Sequence, residues 1–521
     1  MQKKIIYLPL KIIVVLIFSL FINQYYGNIG VFPIETFSHY DLSFRVSRGD
    51  IPFKDYWAVS GIFIDYIHSL FLKFLGESFQ IYVLHASLLN AFISLFTFLL
   101  LLKLGISENY AFIYSILFSL LAYTTSGTLY VDHHASILCL ASTYFFVFYF
   151  FEKKNIYIFF VLFFLAAGLL TKVVPTSYFI IFISFHFFFL IFYNRDISLF
   201  LRLLFYSILI LSLFLITGSI LGISLKEFFI QYFLFPLSIG SERLDSKSSI
   251  IIDLLITFKE IIFIYTLLIY FFLKSFSNQN QKKNFNNIII LSLFTFMVIS
   301  LITHQYLTQN QEFIYFLIPL LFGLLNYFLD QCRFSRSNYL RNSLVFVCVI
   351  LVLKFHFRIN ESRRFHELEN VNLANYVSAN IIDNKLSGLK WITPIYPNNA
   401  KLEVEYLNEI KNYFNNSPTN NSLVFSNYSF LSIILDINLN TPGRWFIPNG
   451  GAYPINQKNK FFNTYKEFLR NIIIEKKINK IYFIHPVSSE DFFRYFEKDC
   501  FEFSQINEIL SLYKKIDSCK F

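Results

Sequence analysis

The chain has 521 residues, of which 55% are hydrophobic, 20% aromatic and only 15% charged, with a mean hydropathy of +0.52. Soluble domains do not have this composition. The formal net charge of +10 is no nucleic-acid signal, because much of it sits in short loops between apolar stretches, as the positive-inside pattern of a polytopic membrane protein requires.

Taking stretches near twenty apolar residues as spans, helices are expected at roughly 5–25, 80–102, 109–126, 134–151, 155–171, 174–193, 199–221, 250–273, 286–304, 313–330 and 342–357, or about 11 crossings. Lys3 and Lys4, Lys103, Lys153 and Lys154, Arg195 and Arg202, Lys282 and Lys283, and Arg333, Arg336 and Arg341 then fall on one side, the cytoplasm. The first span follows two lysines as a signal peptide would. It is long and no small-residue cleavage site follows it, so it reads as an anchor. The expected fold class is an α-helical polytopic protein of the inner (plasma) membrane, with a cytoplasmic N-terminus.

An odd number of crossings exports everything after about residue 358. From Asn360 the Phe-Ile runs give way to Asn, Lys and Glu, and short β-branched runs alternate with amphipathic segments. Leu423–Ser426 and Lys480–Ile484 read as strands, and Phe461–Glu475 and Ser504–Tyr513 as helices. Residues 359–521 are therefore expected to form an exported α/β domain, behind a transmembrane module at 1–358. Cys500 and Cys519 fall in this exported segment, where a disulfide can form. Ile62–Phe74 and Phe228–Leu237 are apolar on one face but interrupted, by Asp65, His68 and Lys73 in the first and by Gln231 and Pro236 in the second. Both read as segments lying along the membrane surface.

The most informative segment is the first exported loop, about 26–79, where Phe32–Gly61 reads FPIETFSHYDLSFRVSRGDIPFKDYWAVSG. It sets ionisable groups just outside a span, where a polyprenyl phosphate head group would sit. Glu35, Gly49, the Pro52-Phe53-Lys54-Asp55 segment and Gly61 follow one another there. In this order and spacing the chain resembles the GT-C superfamily of polyprenyl-phosphate-sugar-dependent glycosyltransferases, especially its protein O-mannosyltransferase and aminoarabinose transferase branch. The resemblance maps the family's leading acid onto Glu35. It departs from the family in having Glu where Asp is commoner, and Thr36 where a second acid often follows.

Three further pieces carry the resemblance. Thr128-Leu129-Tyr130-Val131-Asp132-His133-His134 makes Asp132 the counterpart of the family's second acid. Asp132 and His133 are also suitable ligand types for a divalent cation, although adjacent histidines on a helix point apart, and hydrogen bonding is the favoured reading of the His pair. Gly168–Pro175 carries Lys172, a basic residue at membrane depth that either snorkels or meets a lipid phosphate. His304–Glu312 is a polar turn whose Gln311 and Glu312 suit sugar hydroxyls. In the C-terminal segment, Arg444-Trp445-Phe446 leads into Gly450-Gly451, a patch that reads equally as an acceptor platform and as a packing loop.

The implied chemistry is transfer, with inversion, of a sugar from a polyprenyl-phosphate donor to a glycan, glycolipid or protein acceptor. It needs a base for the acceptor hydroxyl and cations for the leaving phosphate. Glu35 is the expected base, Arg45, Arg48 and Lys172 the expected phosphate ligands, and Asp55 and Asp132 orienting acids. No cofactor is required beyond an optional divalent metal ion. The rival readings are a non-enzymatic flippase for lipid-linked glycans, which would carry ionisable groups along a path inside its spans, and a polymerase or ligase of such glycans.

Overall fold

The computed structural model describes residues 2–239, 250–276, 281–308, 312–332, 337–417, 421–446 and 450–516. It is 70% helical. Among the described residues, 8 helices are long and apolar enough to cross a membrane: Leu8–Gly27, Phe79–Lys103, Val131–Glu152, Val173–Asn194, Ile197–Ile220, Gln281–Thr308, Phe313–Gln331 and Asn338–His366. A shorter apolar helix covers Asn155–Thr171. The chain is thus a multi-pass helical membrane protein. Two of the expected spans take a broken form. The segment expected at 109–126 is helical only over Glu108–Ser119 and then turns through Thr124, Thr125 and Ser126 to Gly127 (φ +70°). The one at 250–273 divides into Ile250–Thr257 and Lys259–Phe276.

The chain forms two compact units. The first gathers Met1–Gly27, Val83–Phe214 and Ser246–Phe365. Its axis is Val131–Glu152, apolar on all sides and buried along nearly its whole length, as a helix surrounded by other helices must be. Small residues admit close approach: a Cβ on Gly27 would lie 2.5 Å from the carbonyl oxygen of Gly127. Buried amides join the helices where lipid offers no competing partner. Asn90 Nδ2 donates to the carbonyls of Ser19 and Ser119, and Asn23 Nδ2 to Ser87 Oγ.

The second unit gathers Asn28–Tyr82, Leu215–Asp245 and His366–Phe521. The first loop, expected to belong with the spans, therefore clusters with the C-terminal segment. A two-stranded pair, β1 (Val377–Ser378) and β2 (Lys390–Trp391), precedes a four-stranded sheet of β3 (Ser422–Phe425), β4 (Lys480–Ile484), β5 (Phe501–Gln505) and β6 (Leu510–Lys515) in the order β3-β4-β6-β5. β3 and β4 are parallel, and the connection between them contains the helix Phe462–Glu475; the other two pairings are antiparallel. The expected strands at 423 and 480 and the helix at 461–475 are present. The helix expected over Ser504–Tyr513 is instead the β5–β6 hairpin. Asn507 Oδ1 accepts from the backbone N–H groups of Ile509 and Leu510 in its turn, and β6 gains a full ladder against β4. Cys500 is disulfide-bonded, while Cys519 lies outside the described residues.

One buried carboxylate fastens this unit. Glu403, in the first turn of Ala400–Asn416, accepts from Trp391 Nε1 (2.9 Å), Thr393 Oγ1 (2.9 Å) and Tyr428 Oη (2.7 Å). Burial raises its pKa, and the three donors oppose that rise. Glu403→Leu would leave those donors without an acceptor, at about 1–3 kcal/mol each. The full chain in detergent is expected to melt well below its parent, and Glu403→Gln to fall between the two. An unchanged melting temperature in Glu403→Leu would show that the network contributes nothing.

Candidate functional site

Glu35 lies in the short helix Pro33–Thr36, which starts with Pro at its first turn and is closed by Thr36 Oγ1 accepting from the Phe32 N–H (2.9 Å). Glu35 is partly exposed, and its Oε2 accepts from Trp445 Nε1 at 2.9 Å. Arg444 lays its guanidinium over the Trp445 ring, 5.2 Å from the centroid. Glu35 and the Arg444-Trp445 patch, singled out separately in the sequence, thus meet within the second unit.

Behind them is a buried cluster. Arg444 Nη2 donates to Asp65 Oδ2 (2.7 Å), to which Tyr56 Oη also donates (3.3 Å), and His39 Nδ1 lies 2.6 Å from Asp65 Oδ1. Gly61 (φ +79°) makes room for it, since a Cβ there would sit 2.2 Å from Arg444 Nη1 and 2.4 Å from His39 Cε1. Burial lowers the His39 pKa well below its ordinary value, and the Arg444 charge adds to the fall. Burial also raises the Asp65 carboxyl, to about 7, against the pull of Arg444 and Tyr56. Asp65 and His39 were not among the expected site residues. In sequence Asp65 only interrupts an apolar run, yet the helix Ile62–Leu75 turns Asp65 and His68 inward and leaves Leu70, Phe74 and Leu75 exposed. An ionisable pair on one face of so apolar a helix was the available signal.

Other residues of the loop shape it. Arg45, expected at a phosphate, is fully buried: Nε donates to Asp50 Oδ2 (2.8 Å), Nη2 to the Asp55 carbonyl (3.2 Å) and Nη1 to the Thr441 carbonyl. Its geometry is that of a loop anchor. Asp55, expected to orient the acceptor, caps the loop through Oδ2, which accepts from the Ile51 N–H (2.8 Å), and pairs with Lys476 (3.0 Å). Arg48 is half-exposed between Glu77 (3.3 Å) and Asp436.

In the first unit, Asp132 opens the helix Val131–Glu152 and is buried. Its carboxylate pairs with Lys172 and lies 3.1 Å from His304 Nε2, and Tyr130 Oη donates to Oδ2 (3.0 Å). The sequence named these residues without joining them. His133 stacks between Tyr123 (4.5 Å) and Phe313 (4.8 Å) and bonds Ser126 Oγ (2.9 Å), and His134 bonds Tyr123 Oη (3.1 Å). No group of three His, Cys, Asp or Glu side chains among the described residues is placed to hold a metal ion. Gln311 lies outside the described residues, and Glu312 starts the short helix Glu312–Phe316. An apolar groove of about 360 Å³ runs between Val173–Asn194 and Gln281–Thr308, lined by Tyr178, Phe182, Phe185, Phe296 and Thr303. No protein-family model matches this chain, and no curated protein matches it significantly.

Proposed function

We propose that this protein is a GT-C-like membrane glycosyltransferase that moves a sugar from a polyprenyl-phosphate donor to a cell-envelope acceptor, with inversion at the anomeric carbon. The observation that carries this reading is the meeting of the partly exposed Glu35 with the Trp445 indole and the Arg444 guanidinium that covers it. Glu35 takes the acceptor hydroxyl proton as the new glycosidic bond forms, while the bond to the phosphate breaks and the phosphate leaves with its electron pair. The indole, packed against the core of its unit and covered by Arg444, holds the carboxylate through its N–H. Within the second unit the half-exposed Arg48 is the cation for the leaving phosphate; in the first unit, taken by itself, the groove beside Tyr178 and Thr303 suits an isoprenoid chain.

In this reading about 11 crossings export the first loop and residues 359–521. A reporter fused after Phe521 is expected to be active outside the cell, and Asn280→Cys to be labelled only from the cytoplasm. A cytoplasmic C-terminus would remove the catalytic assignment as well. The reaction is tested with purified protein in vesicles carrying a radiolabelled polyprenyl-phosphate sugar and membrane acceptors. Label passing to an acceptor supports the proposal, and none passing under any acceptor supply defeats it.

One observation favours the flippase. Asp132 and His304, both buried, and the partly exposed Lys172 bring ionisable groups together at the ends of membrane helices, where such groups can mark a substrate pathway. Cells lacking a flippase accumulate a complete lipid-linked glycan inside. Cells lacking a transferase make a surface product missing one sugar.

A further inference from the structure

The proposed reaction uses Glu35 and the Trp445 N–H that holds it, and leaves the cluster behind them unexplained. Asp65 is completely buried, His39 is 1% exposed and Arg444 7%. A buried charge group of this kind is costly, and apolar residues of similar volume often serve stability as well. Its geometry, however, is directional. Asp65 spends one oxygen on His39 and the other on Arg444 and Tyr56, and the flat guanidinium held there lies over the next side chain in sequence, whose indole N–H reaches Glu35.

We propose that Asp65 and His39 are positioning residues that hold Arg444, and through it Trp445, in the orientation that aims the Glu35 carboxylate. This role rests on the transferase reading for its consequence in catalysis, but not for its geometry. His39 Nδ1 shares a hydrogen bond with Asp65 Oδ1 at 2.6 Å, and among the described residues its buried Nε2 has no hydrogen-bond partner, so the ring's polar contact is with Asp65. Asp65 in turn gives Arg444 an acceptor that a neutral amide would match only weakly. Lysine at 444 would keep the charge and lose both the fork and the flat face. Gly61 keeps the guanidinium's place open, so the cluster joins the helices Ser38–Ser47 and Ile62–Leu75 to the distant Arg444, which no local pattern connects.

The test needs a readout at Trp445 that is independent of transfer. The chain has 3 tryptophans, so protein grown on 5-fluorotryptophan gives three fluorine resonances, assigned by Trp445→Phe, Trp391→Phe and Trp57→Phe. Asp65→Asn and Arg444→Lys are each expected to move the Trp445 resonance and leave that of Trp391, a reporter of the fold, in place. In the transfer assay both should lower kcat about 10-fold to 100-fold with little change in KM for the donor, as a misaimed base does. A Trp445 resonance unmoved in Asp65→Asn overturns the proposal whatever the activity. So does a shift of all three resonances in both variants, which would make Asp65 a folding residue. If Trp445 moves as expected while Glu35→Gln is fully active, the positioning role stands and the transferase reading fails.

Discussion

Glu35→Gln is expected to abolish transfer, by about 10²–10⁴ in rate, while expression and donor binding stay near normal. Glutamine keeps the size of glutamate, and its carbonyl oxygen still accepts the Trp445 N–H, so the contact at 2.9 Å survives. Glu35 is partly exposed, so solvent reaches the side chain that the change makes neutral. The amide cannot accept a hydroxyl proton, so the loss falls on the chemical step. Asp55→Asn and Asp41→Asn are the controls. Asp55 caps the loop and pairs with Lys476. Asp41 is buried, a setting that raises its pKa to about 6 against the pull of Arg45. Their loss should act on the shape of the loop, with a lowered melting temperature. Near-normal turnover in Glu35→Gln together with a dead Asp55→Asn or Asp41→Asn would mean that another acid is the base. Full activity in all three would end the glycosyltransferase reading.

Lys172→Met is expected to destabilise the first unit by about 3–5 kcal/mol, because removing one partner of a buried ion pair leaves the other uncompensated. The stranded group is Asp132, only 1% exposed, with His304 at 3.1 Å and Tyr130 as remaining partners. Lys172 is itself 26% exposed, and solvent at its ammonium should draw the cost toward the lower end. Thermal unfolding in detergent measures it. Lys172→Met combined with Asp132→Asn should regain most of the loss, since the double change leaves no charge stranded. A single mutant as stable as its parent would show that Asp132 does not need the lysine. The pairing also bears on function: a phosphate that binds Lys172 must compete with Asp132, so Asp132→Asn should tighten binding of a lipid phosphate if Lys172 is its ligand. Weaker binding would instead make Asp132 part of the phosphate site.

The membrane-embedded half was legible in the sequence because hydrocarbon requires every backbone polar group to be satisfied within its own helix, which only long apolar stretches achieve. Each expected span is helical at least in part, and β3, β4 and the helix Phe462–Glu475 were readable from periodicity in the same way. Periodicity failed at 504–513, where Ile506, Ile509, Leu510 and Tyr513 fall at helical spacing. There the ladder offered by β4, which no local pattern reveals, decided for strands. Glu35 and the adjacent Arg444-Trp445 patch were each conspicuous for their chemistry. That they meet, across 410 residues between Glu35 and Trp445, is a property of the packed chain. The same holds for Arg45, whose guanidinium an isolated reading assigns to a phosphate and packing assigns to Asp50. Asp65 shows the limit most directly: within its own helix it is an interruption, and only the arrival of Arg444, 379 residues away, turns that buried carboxylate into a partner. Sequence determined which segments are apolar and which residues can do chemistry. Tertiary structure decided which charges meet, because a buried ion pair depends on distances that local composition does not set.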